Sequence, residues 1–311
     1  MIQTILPKSQ QEWLELRTHN INSTEGGALF GIQSASYIPT LFELWHRKHD
    51  NIAVEFEPND RVKWGMRLQD TIAEGIAEDQ GWQVRRMDEY IHDTDMRIGA
   101  SFDFSIESGY GESVAKGLLE IKNVDSLVYK QGWLIDGDNV EAPPHIELQV
   151  QWQLLVSGRA FAYIAALIGG NWVVLIKRLP DLEIHDAIKR KAAEFWKSID
   201  ENRPPKPDFT RDAAFVTRLH SYAEVGKCFD ASSDMEIITL AKRHKELGEA
   251  VKQCEAERDG IKAQILTKIG DSEKVVGDGF SISAGLVGPS HVEYDRSGYR
   301  LFKINWQRGK K

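Results

Sequence analysis

Apolar and polar positions in this chain repeat with two different periods, and the switches between them lay out the elements. Residues 9 to 18 carry Trp13, Leu14, Leu16 and Arg17 in a short helical run. Ser23 or Thr24 is placed to cap a second helix through Phe30, because a hydroxyl just before a helix accepts from its unpaired N–H groups. A third helix, about 39 to 49, shows Leu41, Phe42, Leu44 and Trp45. Residues 60 to 80 repeat Val62, Met66, Ile72, Ala73, Ile76 and Ala77 at helical spacing until Gly81 ends the run. Period-2 stretches, read as strands, follow at about 82–92, 96–107 and 117–124.

The segment from Asp125 to Pro144 holds Gly132, Gly137, Pro143 and Pro144 and reads as a loop that overhangs the preceding strands. A helix over 145 to 157 stops at Gly158. Strands near 160–168 and 171–178 flank Gly169-Gly170-Asn171, a hairpin signal. Pro180 opens a helix to about Ile199, with Phe195 and Trp196 facing inward. The order strand, strand, strand, helix, strand implies an α/β (α+β) fold with a central mixed sheet flanked by helices.

Arg203-Pro204-Pro205-Lys206-Pro207 is the clearest linker, dividing a domain of residues 1–205 from an accessory region of residues 206–311. In that region Leu240, His244, Leu247, Val251, Cys254, Arg258, Ile261 and Ile265 recur at spacings of four and three. The stripe fits a helix packed on its own domain as well as one that self-associates or docks a partner. Two strand-like stretches close the chain, Phe280–Ala284 and Arg300–Trp306, and Phe302, Ile304 and Trp306 are expected to cover the stripe.

The chemistry concentrates between residues 96 and 124. Alternation puts Asp103 on the face opposite Phe102 and Phe104, and puts Glu120 and Lys122 together on the face opposite Leu119 and Ile121. Pairing these strands brings two carboxylates and one ammonium together. Hard oxygen donors suit Mg²⁺, with the carbonyl of Ile121 as a further ligand, and the lysine can orient or deprotonate an attacking water. An isolated acid-x-Lys on a strand is usually a solvated face or an ion pair. Here Asp103 is framed by apolar residues, which weighs against that.

Composition bounds the rest. In 311 residues, 41% are hydrophobic and 28% charged, as in a globular protein large enough to bury a core. No apolar run is long enough for a membrane span, and the first residues lack a signal-peptide pattern. Cys228 and Cys254 are too few for a disulfide framework or an iron–sulfur cluster, so a cytoplasmic protein is expected. A formal net charge of −8 disfavours a nonspecific nucleic-acid coat protein but leaves room for a local basic channel.

Taken together, the motifs resemble the PD-(D/E)XK nucleases, a restriction-endonuclease-like core, and within them the YqaJ-type viral recombinases related to lambda exonuclease. The resemblance covers roughly residues 10 to 180. It rests on Trp13-x-x-x-Arg17, Asn22-Ser23-Thr24-Glu25, Trp64-Gly65-x-x-Leu68-Gln69-Asp70, Asp103, Glu120-x-Lys122, and the run from His145 through Gln149 and Gln151 to Gln153. It implies a Mg²⁺-dependent exonuclease, with Mn²⁺ as a substitute. Such an enzyme digests linear duplex DNA from its 5′ ends and leaves 3′ overhangs for a single-strand annealing protein. It also implies a homo-oligomer and a phage or prophage origin.

By the same resemblance Arg17 and Thr24 hold a 5′-terminal phosphate, and Gln149 or Gln153 positions the site. The family's further acid, four residues after the helix glycine, is Gln69 in this chain, so Asp70 or Glu74 is the substitute to consider and a second metal is in doubt. Lys130 and Trp133 are further candidates for gripping or stacking DNA. An endonuclease on the same core and a non-catalytic DNA-end-binding or interaction protein are the alternative readings.

Overall fold

The computed structural model describes all residues except 33, 34, 36, 53–57, 109–115, 138, 292, 294–297, 303 and 305–311. The described residues form two compact units, Met1–Val216 and Thr217–Lys311.

The first unit begins with β1 (Ile2–Ile5), α1 (Gln10–Thr18) and β2 (Ile21–Asn22), then a 3-10 turn over Gly26–Phe30. Helices α2 (Leu41–His49) and α3 (Asp60–Gln80) follow, with strands β3 (Gln83–Arg86), β4 (Tyr90–Asp93), β5 (Ile98–Ala100), β6 (Phe104–Ser108) and β7 (Gly117–Val124). After α4 (Ser126–Gly132) come β8 (Leu134–Asp136), β9 (Asn139–Glu141), α5 (Pro144–Ser157), β10 (Phe161–Ile168), β11 (Trp172–Arg178) and α6 (Leu182–Asp200). A short α7 (Ala213–Leu219) leads to the second unit, which holds α8 (Met235–Ile269), β12 (Lys274–Gly277) and β13 (Phe280–Ser283).

Strands β11-β10-β7-β6-β3 make a mixed five-stranded sheet in which β10 and β7 run parallel. Strands β1-β4-β5-β2 make a second sheet of four. Helix α5 lies against β10 of the first and β4 and β5 of the second. It is therefore apolar around most of its circumference, with Ile146, Leu148, Val150, Trp152, Leu154 and Val156 all buried. The other face of the larger sheet takes Ile72, Ala73 and Ile76 of α3 against Phe104, Leu119, Ile121 and Phe161.

The period-2 stretches at 82–92 and 96–107 are each two strands, not one. Residues 101–103 break the second of them, and the chain passes there from the small sheet (β5) to the large one (β6). Phe102 packs in the core around α5 and Phe104 in the core under α3. Alternation continues across the break, which is why sequence periodicity did not reveal it. Similarly, Asp125–Pro144 is not a loop: Asp125 caps α4 through the Leu127 N–H at 2.8 Å, and β8 pairs with β9. Helix α6 starts two residues after Pro180, capped by Asp181.

The first unit also runs past the proline-rich linker, which does not part the chain at residue 205. Asp212, 1% exposed, accepts from the N-cap hydroxyl of Thr40, and the buried ring of Phe215 meets Phe42 edge-on. In the second unit α8 buries none of its residues. The Phe302 ring stands 5.7 Å from that of His244, and Leu240, Leu247, Val251 and Ile261 stay exposed. Residues 300–302 and Ile304 form no strand, and Trp306 lies outside the described residues.

Candidate functional site

Two features of β7 set the site. Leu119 and Ile121 turn toward α3, so Glu120 and Lys122 turn toward α5. β6 pairs with β7 with Phe104 opposite Leu119, which sets Asp103 beside the next residues of β7. One Asp103 oxygen accepts the Ile121 N–H at 2.8 Å and the other accepts the Gln69 amide at 3.0 Å. The acid of the strand break is thereby fixed to both the sheet and α3.

Glu120 is 4% exposed, and among the described residues each of its hydrogen-bond partners is a donor. The Lys122 ammonium and the Gln149 amide both reach its Oε1 at 2.6 Å, and the Gln153 amide reaches its Oε2 at 2.8 Å. Gln149 also accepts from Lys122 at 3.1 Å, while Gln153 donates to the Ser101 carbonyl at 3.0 Å. Both glutamines thus serve Glu120, one helical turn apart on one face of α5. Gln151 faces away, donating to the Leu179 carbonyl and capturing the Asp181 N–H.

Electrostatics mark these groups. Burial, then the nearby Glu120 carboxylate, push Asp103 up to about 7. Burial works against the Lys122 charge, but Glu120 and Asp103 outweigh it, and its pKa lies above the ordinary lysine value. Lys122 is therefore an ammonium at neutral pH and a hydrogen-bond donor, not a base. Burial and the Lys122 charge hold His145, in the first turn of α5, down to about 4.

A second group sits at the end of α1. The Arg17 guanidinium lies 4.6 Å over the Trp13 ring and donates to the Thr24 hydroxyl at 3.0 Å. Trp13 in turn donates to the Ser101 hydroxyl at 2.9 Å, tying α1 to the residue that Gln153 holds by its carbonyl. Thr24 does not cap a helix: the 3-10 turn has Glu25 at its N-cap position with no side-chain cap bond. The hydroxyl is engaged by Arg17 instead. Among the described residues no carboxylate pairs with Arg17.

Under this pair lies a buried network that joins Asn22 and Glu25 of the sequence motif to Lys48 and Tyr90, which the motif does not contain. Glu25 accepts from the Asn22 N–H at 3.1 Å, the Asn22 amide at 2.7 Å and the Lys48 ammonium at 2.8 Å. The Tyr90 hydroxyl donates to Asn22 at 2.7 Å. Its ring passes so close to Gly99 that a Cβ there would stand 2.1 Å from the hydroxyl oxygen. Lys48 betrayed itself only by phase: it falls four residues after buried Leu44 on the apolar face of α2.

Both groups open into one cavity of about 540 Å³, lined by Trp13, Arg17 and Thr24 as well as by Asp103, Glu120, Ile121, Lys122 and Gln149. Gln69, Lys48 and Tyr37, the last also unforeseen, are among the other residues of its wall. Four candidates stand elsewhere. Glu74 is exposed and lines no part of the cavity, because five residues turn it about 140° around α3 from Gln69. Trp133 is 4% exposed in the core and cannot stack on DNA. Lys130 is exposed in the last turn of α4, away from the cavity wall. Asp70 pairs with Arg86 at 2.6 Å on the surface.

A protein of Bacillus subtilis (strain 168) described as uncharacterized protein YqaJ is 26% identical over 275 residues, 85% of this chain and 80% of that one. That span exceeds the first unit, so the likeness runs into the second. Among solved structures, an alkaline exonuclease from Laribacter hongkongensis superposes with a TM-score of 0.47 at 18% identity, over 67% of this chain and 100% of that one. A phage-related exonuclease from Haemophilus somnus 129PT gives 0.41 at 12% identity, over 58% and 94%. Residues 12–160, which hold every cavity and network residue from Trp13 to Gln153, match the YqaJ-like viral recombinase domain, the family to which the motifs pointed.

Proposed function

We propose that this chain is a metal-dependent deoxyribonuclease that digests linear duplex DNA from its ends. The observation that carries the reading is the shared cavity. The carboxylate pair with Lys122, suited to a scissile phosphate, and the Arg17–Thr24 pair, suited to a terminal phosphate, face the same space. A site that must fill both at once cuts near an end and not within a circle.

The donors present fit a hard dication. Asp103, Glu120 and the Ile121 carbonyl would supply oxygens, and Asp103, raised first by burial and then by Glu120, stands in a pair of carboxylates with Lys122 beside it. Among the described residues no group of three His, Cys, Asp or Glu could hold a metal. Two carboxylates and a carbonyl suit Mg²⁺, or Mn²⁺ in its place, since Mg²⁺ completes its shell with waters and substrate phosphate. When bound, the ion polarises the phosphate and activates a water. The protein groups do the rest. Gln149 and Gln153 clamp Glu120 in one orientation. Lys122, kept charged, donates to the attacking water or the phosphate oxygen and stabilises developing negative charge. Arg17 offers a planar fork to the end phosphate, with Thr24 already aligned beside it.

If that end is the 5′ end, digestion runs 5′ to 3′ and leaves a 3′ single strand, the substrate of an annealing protein. The test uses linear duplex DNA labelled separately at each 5′ and 3′ terminus, with and without Mg²⁺, beside a covalently closed circle. Release of 5′ label from the linear duplex alone, only with metal, and faster from 5′-phosphate than 5′-hydroxyl ends, is the expected result. Equal cutting of the circle would favour an endonuclease. Binding without cutting in Mg²⁺ would leave an end-binding protein.

A further inference from the structure

Lys48 is a buried cation that plays no part in the chemistry above. Its side chain is 3% exposed, and its Nζ makes two bonds: to Glu25 Oε2 at 2.8 Å and to the main-chain carbonyl of Arg17 at 2.7 Å. The same carbonyl accepts the Asn22 amide at 2.9 Å, and that amide also donates to Glu25. One ammonium on α2 thus joins the last turn of α1 to the turn that carries Thr24. These are the two segments whose side chains must converge on a phosphate.

Removing a charge from water is costly unless something specific is gained, and a surface pair would have joined these segments more cheaply. What the burial achieves here is twofold. It fixes the backbone of Arg17, whose guanidinium keeps no carboxylate partner among the described residues. It also neutralises Glu25, whose carboxylate otherwise stands next to the anion that the pocket is to bind.

We propose that Lys48 is a positioning residue for the end pocket: by bridging Glu25 and the Arg17 carbonyl it holds Arg17 and Thr24 in register for a terminal phosphate and screens that phosphate from Glu25. This rests on the end-pocket reading of Arg17 and Thr24. Loss of the bridge is then felt in the preference for phosphorylated ends.

The test compares initial rates on linear duplexes with 5′-phosphate and with 5′-hydroxyl ends, in Mg²⁺, for the wild type, Lys48→Met, and the double variant Glu25→Gln/Lys48→Met. Lys48→Met leaves a buried carboxylate without its counter-ion and is expected to destabilise the fold. The double variant removes both charges, keeps the Asn22 bonds on the glutamine oxygen, and keeps the proposal testable if the single variant fails to fold. Loss of one charge-assisted hydrogen bond corresponds to roughly a tenfold fall in the phosphate-to-hydroxyl rate ratio. That fall in the folded double variant, with unchanged circular dichroism, is the expected result, and a deeper fall in Lys48→Met supports the screening of Glu25. A wild type that prefers phosphorylated ends beside a double variant with the same ratio overturns the role of Lys48 alone. A wild type indifferent to the end phosphate overturns the end pocket, and Lys48 with it.

Discussion

Replacing Asp103 by asparagine should make the metal-free protein more stable while abolishing cleavage. The Asp103 carboxyl titrates at about 7 in the folded protein, raised by burial and then by Glu120 from an ordinary 3.8. Above pH 3.8 the unfolded chain sheds this proton and the folded chain keeps it, so folding is progressively penalised as pH rises, until the folded carboxyl also ionises near 7. Three pKa units at about 1.36 kcal/mol each put the penalty at a ceiling of about 4 kcal/mol above pH 7. Asparagine carries none of it. Its carbonyl can keep the Ile121 N–H, and its NH₂ can donate to Gln69 once that amide turns over, so no buried donor is stranded. His145, His92 and His185, each lowered with burial as the largest cause, favour the folded state more as pH rises toward 6.5, but they do so in both proteins and cancel in the comparison. Urea unfolding in EDTA at pH 5 and pH 8 reads the difference. The advantage of the variant should grow by about 3 kcal/mol between them, the part of the titration lying between pH 5 and 7. Excess Mg²⁺ should narrow or invert the ranking, because the ion compensates the carboxylate pair. An advantage that does not grow with pH would show that the pair carries no strain, and the metal argument built on it would lose its footing.

Gln69→Glu should place a third carboxylate beside Asp103, lowering the melting temperature in EDTA and tightening Mg²⁺ binding by calorimetry; an unchanged Mg²⁺ affinity would mean that α3 has no part in the metal site. Gln153→Leu strands Glu120 Oε2 and the Ser101 carbonyl, so a loss of about 1–3 kcal/mol is expected in chemical denaturation, together with cleavage activity. Stopping the chain after Val216 should leave a folded, metal-responsive first unit, since that unit already contains Asp212 and Phe215. A stop near Phe209 removes both and should melt lower, by differential scanning fluorimetry; equal melting of the two would put the boundary back at the prolines.

Much of the site was legible because its residues obey simple periods. Glu120 and Lys122 share a face of β7 because strands alternate, and Gln149 and Gln153 share a face of α5 because helices turn in 3.6 residues. What sequence hid was tertiary. The break at 101–103 left the alternation of Phe102, Asp103 and Phe104 intact while moving the two rings into different cores. Trp133 looked like a loop aromatic because Gly132, Gly137 and the two prolines imitate a loop, whereas α4 and the β8–β9 hairpin are short elements between turns. Thr24 looked like a cap because a hydroxyl before a helix usually is one; only the guanidinium seven residues earlier in the chain reassigns it. Lys48 needed two helix ends and a turn brought together before its burial made sense.

Gln69 gains meaning from the same assembly. An acid at this position would meet Asp103 and Glu120 in a cavity where one ammonium already balances one carboxylate, and burial has pushed Asp103 to about 7. A glutamine keeps the hydrogen bond to Asp103 without adding a charge, so the metal-free site stays tolerable at neutral pH. On the proposed function, what it gives up is a ligand. The remaining donors would then suit one dication whose other positions belong to water and phosphate, and the Arg17–Thr24 pair would be the second anchor of the substrate. Arg17 and Thr24 on one side of the cavity and the carboxylate pair on the other would together orient the strand. This chain would rely on two phosphate contacts where an additional acid would have supplied a second metal contact.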